Sequence, residues 1–142
     1  MPIIKLWCLP AGQSEDDLRK VHKAVVAAVV AVPELGLTDE TQMTCLFPPD
    51  LMTYGLGEEI IVEISGLFDK PERTPEVRQQ LAQGVGSAVY LLYPNAKVEC
   101  FVQTFDPAQG FWVSKPSADP YRAYRQFERM LPGIRRREDD LG

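Results

Sequence analysis

The second residue of this chain is proline, and its chemistry depends on the first. Initiating methionines are commonly removed when a small residue follows. Without Met1, Pro2 would be a free secondary amine, able to act as base, acid or nucleophile. With Met1 in place the same nitrogen is an amide in the first strand. The other reactive residue types point elsewhere. Cys8, Cys45 and Cys100 are odd in number and lack metal-ligand spacing, so they read as free core thiols. His22 is the only histidine and sits at the edge of an apolar helical stripe, so it reads as structural and no metal site is expected.

The elements that would position Pro2 follow from pattern. PIIKLWCL (2–9) reads as a strand, bounded by Pro10 and Gly12. Ser14 can cap the next helix, and the acids at 15, 16 and 17 suit the positive end of its dipole. Leu18, Val21, Val25, Ala28, Val29 and Val32 recur at helical spacing, and Pro33 and Gly36 end the run. TQMTCLF (41–47) reads as a second strand, stopped by Pro48 and Pro49.

The same grammar then returns. Residues 59–68 (EIIVEISGLF) and 97–105 (KVECFVQTF) read as strands flanking a helix with Thr74 as cap and Pro75 in its first turn. Ser14, Val21, Val25, Ala28, Val29 and Val32 each have a counterpart sixty positions later: Thr74, Leu81, Val85, Ala88, Val89 and Leu92. Six matches in one register indicate a duplicated β-α-β unit. Right-handed crossovers then predict an α+β fold: a four-stranded mixed sheet with both helices on one face. The first and last strands carry apolar residues toward both faces, which predicts burial on both sides, supplied by self-association or, on one face, by the C-terminal tail.

The duplicated domain spans 1–113, with repeats at about 2–57 and 58–113, and a C-terminal helical tail spans 114–142. In the tail, Asp119 reads as a cap, Pro120 as first-turn residue, and Tyr121, Tyr124, Phe127 and Leu131 as one helical stripe. Arg122, Arg125 and Arg129 share another side and read as solvated.

Composition narrows the function classes. A chain of 142 residues, 45% hydrophobic and 25% charged, suits one globular domain. The net charge of −5 argues against a nucleic-acid partner. No apolar run is long enough to predict a membrane span. The first residues lack a basic region followed by an apolar stretch, so no signal peptide is indicated and a cytoplasmic location is expected.

The chain resembles the tautomerase superfamily, which includes 4-oxalocrotonate tautomerase, macrophage migration inhibitory factor and cis-3-chloroacrylic acid dehalogenase. The resemblance covers about residues 2–113. It rests on Pro2 heading a short strand, the two β-α-β units, PPDLMTYGLG after the second strand, GLFDKPERTPEVRQQLAQ entering the second helix, and DPAQG after the fourth strand. It implies a homotrimer, no cofactor and a small carboxylate substrate. It also implies that Pro2 is the catalytic amine, with its pKa lowered by burial near cations, and that Arg73 anchors the substrate carboxylate. Tyr54 and Phe111 would be aromatic walls, Lys70 a second cation, and Phe101 and Gln103 strand residues facing the substrate.

The chain also departs from that pattern. Gln13 stands where the first repeat would carry Arg73's counterpart, and the family's strand arginine would fall at Thr44 or Glu99. Phe101 and Gln103 replace a tyrosine and an asparagine, and GFWVSKPSAD supplies no late acid at the dehalogenase's distance. The expected function is a cofactor-independent tautomerase or isomerase of a small 2-oxo acid or enol. The alternatives are a non-catalytic trimer binding a small ligand or a protein, or a decarboxylase, hydratase or dehalogenase using Pro2 as acid.

Overall fold

A computed structural model of the protein describes residues 1–51, 59–112 and 118–131. It divides into two compact bodies, Met1–Gly110 and Phe111–Gly142. The first contains β1 (Ile3–Trp7), α1 (Glu15–Val30), β2 (Thr44–Leu46), β3 (Glu59–Phe68), α2 (Pro75–Leu92) and β4 (Lys97–Phe105). The second contains α3 (Tyr121–Met130).

Both long helices start where the cap residues dictate. Ser14 Oγ accepts from the Asp17 N–H at 3.1 Å, and the Asp17 carboxylate accepts from the Ser14 N–H at 3.0 Å. This reciprocal box satisfies two donors that the first turn would otherwise leave open. Thr74 Oγ1 accepts from the Val77 N–H at 3.3 Å, and Pro75 follows at the first helical position. Val21, Val25 and Val29 on α1 and Leu81, Val85 and Val89 on α2 are buried. They pack with Ile4 and Leu6 of β1 and Ile60, Val62 and Ile64 of β3 in one core.

The sheet order is β2-β1-β3-β4. β1 is parallel to β2, β3 is parallel to β4, and β1 meets β3 antiparallel. The predicted mixed sheet of two β-α-β units is therefore the observed one. Ile4 stands opposite Ile64, sixty positions on, in the β1–β3 ladder. The repeat offset found in the helices thus carries into these two strands and relates them by an approximate two-fold axis. Ile4 also lies beside Cys45, and Ile64 beside Val102, so the offset falls to fifty-seven in β2 and β4.

Three expectations need correction. β2 is Thr44–Leu46 rather than 41–47, because Glu40–Gln42 wind into a 3-10 turn. The Asp39 carboxylate caps that turn by accepting from the Thr41 N–H at 2.8 Å. β1 ends at Trp7 because Cys8 adopts a left-handed φ of 67°, outside the extended region. In the tail, the cap position falls on Pro120 and carries no side-chain hydrogen bond, while the Asp119 carboxylate pairs with Arg125.

Burial on both faces of the sheet is not complete within one chain. On the helix-free face Ile3, Lys5 and Trp7 are half-buried, and Phe101 is 54% exposed. On α3, Tyr121, Tyr124 and Phe127 are exposed, as is Leu131 just after it, with the Tyr124 and Phe127 rings 6.2 Å apart. No helix among the described residues is long and apolar enough to cross a membrane.

Burial pushes the Cys45 and Cys100 thiols up from the ordinary 9.0 to about 11. The raised folded value makes their contribution to stability complete below pH 9.0 and lost as pH climbs toward about 11. Unfolding free energy should fall across that range, and Cys45→Ala with Cys100→Ala should flatten the fall; an unchanged slope would sink the assignment. Leu81→Ala, at a site only 1% exposed, should lower unfolding free energy in urea by about 2–5 kcal/mol. Leu91→Ala, at a site 79% exposed, should change it by less than about 0.5 kcal/mol.

Candidate functional site

Four chain features meet at one end of the sheet: the start of β1, the ends of β3 and β4, and the N-terminus of α2. Pro2 lies there, buried, and its carbonyl accepts from the Thr44 N–H at 2.9 Å. Met1 is 62% exposed, while the Pro2 that follows it is buried.

A bulge in β3 makes room for the chain start. Ile64 pairs with Val102 and Leu67 with Thr104, which leaves Ser65 and Gly66 opposite Gln103 alone. Gly66 has a φ of +70°, and a Cβ there would lie 3.0 Å from the Met1 carbonyl oxygen. Glycine thus answers both a left-handed backbone and a close approach. The same bulge sets Gln103 two strands from the chain start, exposed on the helix-free face together with Phe101.

Arg73 is only 7% exposed. Its Nη1 donates to the Phe68 carbonyl at 2.7 Å and its Nη2 to the Leu35 carbonyl at 2.9 Å. The guanidinium therefore ties the end of β3 to the turn that follows α1. These bonds use two of the five N–H donors; the Nε–H is buried without a partner. Both acceptors are neutral, so the positive charge is hydrogen-bonded but not cancelled by them. Lys70 is exposed on the same loop.

Sequence reasoning missed Arg78, half-buried in the second turn of α2. Its Nη1 lies 3.5 Å from Thr104 Oγ1, and its Nε is buried without a partner. The signal was a charged residue beside the buried Val77 and Leu81, but a flanking charge on an amphipathic helix is ordinarily solvated. Asp69, Glu72 and Asp106 also belong to this end, but they are exposed, where solvent screens them. Tyr54 lies outside the described residues. Phe111 belongs to the second body and is 76% exposed.

The two-fold axis pairs this end of the sheet with the opposite one. Gly66 corresponds to Leu6, Lys70 to Pro10, Arg73 to Gln13 and Arg78 to Leu18, at the offset of sixty. Thr104 corresponds to Phe47 at the offset of fifty-seven. Even the tie is mirrored. Arg73 reaches the residues after α1, and Gln13 reaches those after α2, its Oε1 accepting from the Tyr93 hydroxyl at 2.7 Å. The backbone is nearly symmetric, but Lys70, Arg73 and Arg78 at the Pro2 end have uncharged counterparts.

Arg73→Ala would remove the charged donor from the Phe68 and Leu35 carbonyls, bonds worth about 1.5–3 kcal/mol each. Urea unfolding of that variant should show a loss of about 2–5 kcal/mol. Stability equal to the parent would show that the guanidinium does not act as a tie.

No family model matches the chain, and no curated protein matches its sequence. Solved structures do match. A fused 4-OT, solved as a wild-type asymmetric trimer, superposes with a TM-score of 0.62 at 14% identity over 87% of this chain and 98% of its own. Malonate semialdehyde decarboxylase gives 0.55 at 14% identity over 87% and 98%. A member of the cis-3-chloroacrylic acid dehalogenase family gives 0.56 at 13% identity over 97% and 99%. The chain has the fold of the tautomerase superfamily, the group its sequence resembles.

Proposed function

We propose that the protein is a cofactor-independent tautomerase or isomerase acting on a small 2-oxo acid or enol, and that it works as a homotrimer after loss of Met1. The observation that carries this reading is the placement of two water-shielded guanidinium groups, Arg73 and Arg78, at the end that holds Pro2. Lys70, Arg73 and Arg78 stand at the end that holds Pro2, and their counterparts Pro10, Gln13 and Leu18 are all uncharged. A carboxylate is drawn to the first end. The guanidinium groups of Arg73 and Arg78 are partly shielded from water, which strengthens their field.

In this reading the same cations, together with burial of the ring, disfavour protonation of the free Pro2 amine. The neutral nitrogen removes a proton from the carbon next to the substrate carbonyl, giving an enolate and a protonated Pro2. The carboxylate is held beside the remaining donors of Arg73, with Lys70 as a second cation and Gln103 on the strand face. Pro2 then returns its proton to a different atom of the enolate, so the amine is regenerated and nothing is consumed. Phe101 and Tyr54 are proposed as apolar walls. The trimer is supported by the half-covered sheet face and by the trimeric state in which fused 4-OT was solved.

A second reading has its own observation. Arg73 already spends two donors on carbonyls of its own chain, so the site could bind a ligand or partner without catalysis. The decisive variant is Pro2→Ala, assayed against a panel of enols and 2-oxo acids. Turnover should fall by about 10²-fold or more while ligand binding persists. Unchanged turnover would remove Pro2 as the base. The intact mass of untagged protein supplies the companion test. A mass lower by one methionine is expected; a full-length mass leaves the nitrogen an amide, and the binding role then replaces catalysis.

A further inference from the structure

The axis that relates the two repeats predicts that the Pro2 end has a counterpart, and a cleft is there. It opens where β1 ends, α1 begins and the chain leaves β2, with a volume of about 250 Å³. Leu6, Pro10, Gln13, Leu18 and Phe47 line it, and these are the counterparts of Gly66, Lys70, Arg73, Arg78 and Thr104. Leu18 and Phe47 share this cleft just as Arg78 and Thr104 approach each other at the other end.

We propose that this cleft is a second binding site, separate from Pro2, for a small neutral ligand with one apolar ring and one hydrogen-bond acceptor. The volume sets the size: a cavity of about 150 Å³ lined by aliphatic and aromatic side chains already takes benzene. The lining sets the charge. None of the described lining residues is Lys, Arg or His, so a carboxylate gains no ion pair from them. Gln13 sets the polar contact. Its Oε1 is taken by the Tyr93 hydroxyl, so its amide NH₂ is what it can offer an acceptor. Leu6 also explains why the backbone there can carry a side chain. The counterpart Gly66 is constrained by the Met1 carbonyl, whereas Leu6 sits in a continuous strand opposite Val62. The inference uses the symmetry of the sheet and does not depend on Pro2 being catalytic.

The test is a titration of isotopically labelled full-length protein, followed through its backbone amide resonances. The probes are acetophenone, which is neutral with one carbonyl acceptor, and benzoate, which has similar size and a negative charge. Acetophenone should shift the amides of Leu6, Leu18 and Phe47 saturably below about 10 mM, roughly ten times a Kd in the millimolar range. Benzoate should not shift them. Ala11→Phe, at an exposed position on the cleft margin, should fill the opening and abolish the acetophenone shifts while resonances elsewhere keep their places. The proposal is overturned if acetophenone gives no saturable shift, if benzoate acts equally, or if the shifts survive Ala11→Phe. Protein with and without Met1 should titrate alike, which separates this outcome from any result at Pro2.

Discussion

The antiparallel ladder between β1 and β3 is the constraint on which the rest of this fold depends. Each β-α-β repeat can form its own parallel strand pair, but neither can cover its apolar strand and helix faces alone. Setting Ile4 against Ile64 joins the two repeats into one sheet and brings α1 and α2 side by side above it. The core then closes around residues from both repeats, including Leu6, Val25, Val62 and Val85, all without solvent exposure. Sliding this ladder by one residue would turn Ile4 and Leu6 away from the helices and bring Ile3 and Lys5 inward. The core therefore holds the register, and the register places the chain start against Gly66.

Symmetry of the backbone makes the departures from symmetry informative. The ties between the repeats occupy matched positions, yet one is a neutral amide meeting a phenol and the other a guanidinium meeting two carbonyls. A neutral pair would have served both ends for cohesion. Burying a cation against carbonyls costs more desolvation, and a positive field at one end is what that arrangement adds. The bulge at Ser65 and Gly66 lies at the Pro2 end, where it admits the main chain of Met1. An apolar cleft at one end and a bulged end holding two shielded guanidinium groups at the other arise from one duplicated plan with different side chains.

Much of the fold was legible because it is written in local chemistry. Ser14 and Thr74 announce the helix starts, and the matched stripes from Val21 to Val32 and from Leu81 to Leu92 reveal the duplication. β2 was over-extended because Thr41 and Gln42 have strand-like neighbours, while Asp39 caps a turn through them. Arg73 was legible as a residue at a helix entrance. Its tie to Leu35 was not, because those positions are thirty-eight residues apart and meet only once α1 and α2 are packed. Arg78 was missed for the same kind of reason: its partner Thr104 is on another strand.

The sequence by itself determined the element types, the repeat and the presence of Pro2 at the head of the first strand. Those properties are set within a few residues, by capping hydrogen bonds, periodic apolar side chains and proline. Tertiary structure decided the register of β1 on β3, the bulge at Gly66, the engagement of Arg73 and the pairing of a cationic end with an apolar one. Each of these requires two segments far apart in the chain to meet. Such a meeting is decided by packing of the whole core, which no short stretch of sequence contains.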